Sequence, residues 1–206
     1  IGTKSHTIKT FRTVIPKTKI SVFFVDCPYY YDRDDIYTSD RDEDERFILF
    51  NRAVLEIMQR LKWAPDLIHC HDWQAGLIPF YIKENYAWDK LFKNTKTIFT
   101  IHNIGYQGLF PMESAEKAEI HKGYTEPMGP CEFYGKFSFL KTAVCFADKL
   151  TTVSETYARE ILTEEMGGGL HEIINQRKKD LTGIINGADY KEWNPVKKVA
   201  DFYLKP

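Results

Sequence analysis

The chain has 206 residues and a formal net charge of −1, from 28 Lys and Arg against 29 Asp and Glu, with 43% hydrophobic and 15% aromatic residues. This balance can bury enough apolar surface to exclude general disorder. It lacks the basic excess of a dedicated nucleic-acid binder, and no apolar run approaches the ~18–20 residues of a membrane-spanning helix. The length suits one domain or two small ones.

In chain order, Thr7–Ile15 alternates as a half-buried strand, with Ile8, Thr10, Arg12 and Val14 on one face and Lys9, Phe11 and Thr13 on the other. Lys19–Val25 is apolar and β-branched and reads as a buried strand. Between Asp32 and Arg46 eight carboxylates face three arginines, a local net charge of −5. That stretch is expected to be a solvated loop running into a helix N-terminus, where the dipole favours carboxylates. Phe47, Phe50, Val54, Ile57, Met58 and Leu61 then recur at helical spacing, ending before Pro65. Next come a strand at Leu67–Cys70 closed by His71-Asp72, a helix over Trp73–Lys83, and a strand at Thr97–Ile101 closed by His102-Asn103. An apolar helix follows at Phe137–Ala147, then a strand at Leu150–Val153 closed by Ser154-Glu155, with Ser154 as N-cap of a helix over Thr156–Leu162. Gly167–Gly169 break the chain before a helix at His171–Lys178, and Thr182–Ile185 is a last strand, closed by Asn186-Gly187.

Strand ends near 26, 71, 102, 153 and 186 are spaced as βαβ units require, so the fold class is α/β, an open, mostly parallel sheet with flanking helices. In such sheets ligands bind outside the carboxyl ends of the strands. Those ends carry Asp26, His71-Asp72, His102-Asn103, Ser154-Glu155 and Asn186-Gly187. His69 and His71, two apart on a strand, point the same way. With His102 and Asp72 they could compose a metal site or remain ordinary hydrogen-bonded histidines. There is no HExxH motif, and Ser154 lacks the GxSxG elbow of a hydrolase nucleophile. Gly167–Gly169 could cradle a phosphate or form a plain turn, but no Gly-Lys-Ser/Thr follows. Cys27, Cys70, Cys131 and Cys145 form no CxxC pair and are expected to be reduced. Aromatics at strand ends and loops, Tyr29–Tyr31, Trp73, Tyr106, Phe133-Tyr134 and Trp193, could stack on sugars or simply pack.

Longer strings narrow these alternatives. Pro65–Leu77, reading PDLIHCHDWQAGL, resembles a segment of bacterial glycogen synthases and plant starch synthases. Thr100–Gly108 (TIHNIGYQG), Phe133-Tyr134-Gly135 with Phe139-Leu140-Lys141, Thr152–Glu160 (TVSETYARE) and Gly183–Asp189 (GIINGAD) are similar to successive motifs of the same family. Asp42–Phe47 followed by Ala53–Glu56 resembles its helix entry. The ordered matches spread over about residues 20–195.

The resemblance implies a two-domain glucosyltransferase of the GT-B type. It would move glucose from a nucleotide-glucose donor, usually ADP-glucose, to the non-reducing end of an α-1,4-glucan with retention, without metal or other cofactor. It implies His71, Asp42 and Asn186 as catalytic residues, and His102, Asn103, Tyr106, Gln107, Trp73, Tyr134 and Gly187 as substrate-binding ones. Glu43 stands where the family usually has Asn. The family's KTGGLGD loop and second, nucleotide-sugar domain do not occur in residues 1–206. The chain, which opens at Ile1, is therefore expected to be a partial N-terminal, acceptor-side domain, inactive without the missing C-terminal domain. It would face neither nucleic acid nor membrane, and would work in the bacterial cytoplasm or, in a plant, in the plastid. Two other readings are a non-catalytic glucan-binding module and a metal-dependent hydrolase using His69, His71 and His102.

Overall fold

The computed structural model describes residues 1–190 and Trp193. Two strands, β1 (Lys9–Val14) and β2 (Ser21–Asp26), pair antiparallel as a separate hairpin with Lys9 opposite Asp26. A short helix α1 (Pro28–Tyr31) and the long α2 (Glu43–Leu61) follow. Four parallel strands then form the central sheet, in the order β3 (Leu67–His71), β4 (Lys96–Ile101), β8 (Lys149–Thr152) and β9 (Leu181–Gly183). Helix α3 (Ile78–Lys83) joins β3 to β4. The β4-to-β8 connection carries a small antiparallel sheet of β5 (Leu109–Phe110), β6 (Glu132–Phe133) and β7 (Lys136–Ser138), together with α4 (Glu113–Lys117) and α5 (Phe139–Phe146). Helices α6 (Glu155–Glu160) and α7 (His171–Gln176) lie between β8 and β9.

The expected parallel α/β sheet is present, but two strands do not join it. β1 and β2 lie outside, so Asp26 does not sit at the carboxyl rim of the parallel sheet. The expected burial of Lys19–Val25 also fails, with Ile20 and Phe24 60% and 55% exposed, and so does the expected half-burial of Thr7–Ile15, since β1 is exposed throughout. Alternation of residue types specifies a pleat, whereas coverage depends on which element packs over it. One face of the parallel sheet is covered: Ile68, Cys70, Phe99, Ile101 and Leu150 join Phe80, Leu140 and Val144 of α3 and α5 in the main core. On β3 the opposite face, with Leu67, His69 and His71, is exposed.

Several local expectations shift for identifiable reasons. The predicted helix over Trp73–Lys83 is a 3-10 turn at Trp73–Ala75 followed by α3. Asn51 of α2 causes the break, because its Oδ1 accepts from the amides of Leu77 (3.0 Å) and Ile78 (3.1 Å). These are donors that a helix start leaves unpaired. Its Nδ2 donates to the carbonyls of Phe47 and Gln74. Phe137, expected in a helix, is in β7, and Ser138 caps α5 by accepting from the Lys141 amide. Ser154 caps α6 as expected, accepting from the Tyr157 amide at 2.9 Å. All four cysteines are free thiols. Among the described residues no helix is long and apolar enough to cross a membrane.

At the start of α2 three carboxylates, Glu43, Asp44 and Glu45, occupy the first turn. Asp44 and Glu45 are nevertheless buried. Lys117 pairs with Asp44 at 2.9 Å and with Glu45 at 3.1 Å, Lys4 pairs with Glu45 at 3.1 Å, and the Tyr30 hydroxyl donates to Glu45 at 2.7 Å. Burial alone would raise the Glu45 pKa. The hydrogen bonds from Tyr30, Lys117 and Lys4 outweigh it and hold the group at about 2. A depressed carboxylate contributes stability that is complete above its unfolded pKa and is lost as pH falls through the folded one. Glu45→Gln is therefore expected to lower unfolding stability at neutral pH by on the order of 3 kcal/mol. Denaturant titrations at a series of pH values should show the gap to wild type closing from about 4.5 down to about 2; a gap independent of pH would refute this assignment.

Candidate active site

The carboxyl ends of β3 and β4 bring three imidazoles together. His69 and His71 share the exposed face of β3, with ring centroids 4.2 Å apart and planes tilted by 32°. His71 Nδ1 lies 3.0 Å from His102 Nε2, a hydrogen bond between neighbouring strand ends. Beneath them His69 Nε2 contacts Thr100 Oγ1 at 2.6 Å, and Thr100 Oγ1 contacts Thr151 Oγ1 of β8 at 2.5 Å. Burial lowers the pKa of His71, and its neighbours His69 and His102 lower it further against the opposing charge of Asp72. Burial, then His102, also lowers His69. Both rings are thus neutral at pH 7.

Asp72 makes the turn that follows. Its backbone, at φ 55° and ψ 179°, lies in a region normally left to glycine. Two hydrogen bonds over-determine it: its amide donates to the Thr100 carbonyl at 3.0 Å, and its Oδ1 accepts from the His102 amide at 2.8 Å. The strained turn therefore locks the ends of β3 and β4 together where the histidines meet.

Beside this rim opens a cleft of about 760 Å³ whose walls include Tyr37, Glu43, Trp73, Gln74, Tyr106 and Phe110, with Asp72 and Asn103 at the side facing the histidines. Trp73 is only 7% exposed. Its indole packs edge-on against Phe47 at 4.5 Å and Phe139 at 5.9 Å, and tilted against Phe110 at 5.7 Å. Gln74 Nε2 donates to the Tyr37 hydroxyl at 2.6 Å. Aromatic walls with a few hydrogen-bonding groups suit a neutral, hydroxyl-rich ligand.

The expected site residues divide into those the fold gathers and those it does not. His71, His102, Asn103, Tyr106 and Trp73 lie at the rim or in the cleft. Asn103 Oδ1 accepts from the Gly105 amide at 2.9 Å and shapes the loop that leaves Tyr106 69% exposed. Gln107 lines the cleft but is buried, and its Nε2 donates to the Gly168 carbonyl at 2.8 Å. That bond, with the Gly167 amide donating to Thr163, makes Gly167–Gly169 a packed turn. Tyr134, at positive φ, stacks edge-on against Phe133 at 4.7 Å near Gly169 and does not line the cleft. Asp42 is turned to Arg33, whose Nη2 donates to it at 2.8 Å. Its neighbour Glu43 lines the cleft instead, held by Thr38 Oγ1 at 3.0 Å and Arg46 Nη1 at 2.7 Å. Asn186 and Gly187 follow β9, three strands from β3, roughly 14 Å away at ~4.8 Å per strand, and are exposed. Trp193, one of the aromatics that could stack on a sugar, is exposed; positions 191, 192 and 194–206 lie outside the described residues.

Tyr37, Thr38, Gln74 and Phe110 are cleft residues that sequence reading did not single out, and Glu43 stood out there only as a replacement for the family's Asn. Gln74 is adjacent to the HDW string, and Glu43 to Asp42, so both were within reach of the motifs. The metal reading finds no support in the donor arrangement. Among the described residues no three His, Cys, Asp or Glu side chains are grouped to hold an ion, and the His71–His102 bond engages one nitrogen of each ring.

Gly108 lines the cleft close against the Trp73 indole. It has φ +58°, and a Cβ there would lie 2.5 Å from Trp73 Cε3. Gly108→Ala is expected to cost about 2 kcal/mol through backbone strain and displacement of the indole; an unchanged denaturation midpoint would show that Trp73 is not wedged there.

Comparison with known proteins identifies the family and the fold. A protein family described as starch synthase catalytic domain matches residues 2–176. The glycogen synthase of Desulforudis audaxviator is 48% identical over 176 residues, 85% of this chain and 35% of that protein. The glycogen synthase of Thermodesulfovibrio yellowstonii is 46% identical over 184 residues, 87% of this chain and 37% of that protein. A solved structure, the catalytic domain of starch synthase IV from Arabidopsis thaliana bound to ADP and acarbose, superposes with a TM-score of 0.83 at 32% identity, covering 93% of this chain and 39% of that one. The chain spans little more than a third of the length of these relatives, and it belongs to the starch synthase catalytic domain family.

Proposed function

We propose that this chain is the acceptor-side part of the N-terminal domain of a retaining glucosyltransferase. That enzyme passes glucose from a nucleotide-glucose, usually ADP-glucose, to the non-reducing end of an α-1,4-glucan. The observation that carries this reading is the placement of a neutral His71 at the strand rim, beside the aromatic cleft of Tyr37, Trp73, Tyr106 and Phe110. The cleft offers ring faces and hydrogen-bonding side chains to a glucan. The rim offers an uncharged imidazole to the transferred sugar, where preorganised dipoles stabilise the charge that develops as the nucleotide departs. The ADP and acarbose in the starch synthase IV structure support donor and glucan as ligands. On this reading the diphosphate would be gripped by a loop and a second domain beyond residues 1–206. The bacterial relatives favour the cytoplasm as its place of work.

The altered acidic loop changes one role. We assign the cleft-facing carboxylate to Glu43 and a loop-fastening role to Asp42 through Arg33.

Two experiments test the reading. In the complete synthase, His71→Ala is expected to lower kcat by about 10²–10³-fold while the melting temperature stays within a few degrees; a near-wild-type kcat would remove His71 from the site. The 206-residue chain alone is expected to transfer no measurable glucose from ADP-glucose, and robust turnover would overturn the two-domain requirement. Titration with maltooligosaccharides separates the alternative of a stand-alone glucan-binding module, which requires binding tighter than ~1 mM, about −4 kcal/mol.

A further inference from the structure

The contact between His71 and His102 constrains where the protons are. Their facing atoms, Nδ1 of His71 and Nε2 of His102, lie 3.0 Å apart. Two neutral imidazoles make such a bond only if one nitrogen carries a proton and the other does not. If His102 Nε2–H donates, His71 accepts on Nδ1 and carries its own proton on Nε2. If His71 Nδ1–H donates, His71 Nε2 is a bare acceptor and His102 must be protonated on Nδ1. Neutral histidine intrinsically favours the proton on Nε2. The first arrangement gives both rings their favoured tautomer, and the second gives both the unfavoured one.

We propose that His102 is a positioning residue that donates from Nε2 to His71 Nδ1 and so fixes His71 as a hydrogen-bond donor, through Nε2–H, toward the ligand at the rim. His102 is itself held through its backbone, because its amide donates to Asp72 Oδ1 at 2.8 Å and the Asp72 amide donates back to Thr100. The His69 ring lies against that of His71, with centroids 4.2 Å apart, and is anchored by Thr100 Oγ1. The His71 ring is thus fixed in plane by His102 and against rotation by His69. The titratable groups that face it are His69 from β3, Asp72 from the turn and His102 from the end of β4; Thr151 of β8, below them, does not titrate in this range. The lowered pKa of His71 leaves its Nδ1 free to accept, which the arrangement requires.

The assignment of tautomer is independent of the proposed activity, whereas its consequence for turnover rests on that activity. It is tested first by nuclear magnetic resonance of the protein labelled with ¹⁵N-histidine, above neutral pH. The expected result is a pyridine-like Nδ1 and a pyrrole-like Nε2 on His71, with a nitrogen–nitrogen coupling across the bond to His102 Nε2. A proton on His71 Nδ1, or no coupling, overturns the proposal. The second test compares His102→Gln, whose amide can place a donor where Nε2 was, with His102→Leu in the complete synthase. His102→Leu is expected to lower kcat by roughly tenfold or more through loss of ring placement, with KM within about twofold, and His102→Gln to restore most of it. If His102→Leu turns over like wild type while His71→Ala does not, the positioning role fails and the glucosyltransferase reading stands. If neither substitution affects kcat, both fail.

Discussion

β3 and β4 pair in parallel with His71 opposite Thr100, and the ladder is closed just past its end by Asp72, whose carboxylate accepts from the His102 amide. Everything at the rim depends on that closure. It holds Asp72 at positive φ, brings His102 within hydrogen-bonding distance of His71, and aims the chain so that Trp73 turns into the core rather than out to solvent. Strain of this kind persists only where surrounding bonds over-determine it, and here they come from the two neighbouring strands.

The cleft is built on the same turn. Trp73, Gln74 and the start of α3 are fastened to α2 by Asn51, which satisfies two orphan amides and two carbonyls at once. The indole then forms a floor between Phe47, Phe110 and Phe139. Its sequence neighbourhood suggested stacking on a sugar, yet most of its surface is spent on packing. One side chain serves both ends: its buried faces hold the core, and the part left over contributes to the cleft wall.

The acidic segment before α2 shows how a charged loop becomes structural. Arg33 and Arg46 draw in Asp42 and Glu43, while Lys4 and Lys117 neutralise Glu45 and Asp44 within the buried first turn. Part of the local excess of carboxylates is therefore used in placing the loop. Glu43, left at the cleft, is where this chain departs from the pattern its family resemblance suggests.

Much was legible in the residues themselves. The βαβ grammar, the polar residues closing each strand, the Ser154 cap and the paired orientation of His69 and His71 follow from period, turn chemistry and cap preference, which are local properties. The family likeness followed from strings such as HDWQAGL and TIHNIGYQG, which name the residues at the rim. Tertiary structure alone decided what covers what and which side chain reaches which. It set the β1–β2 hairpin apart from the parallel sheet, because pleating does not specify a packing partner. It turned Asp42 to Arg33 and gave the cleft to Glu43, because in a run of like charges the arginines' reach chooses between neighbours. It separated Asn186 from His71 by the breadth of the sheet, and it joined His71 to His102, 31 residues apart, because a parallel register sets strand ends side by side whatever their distance along the chain.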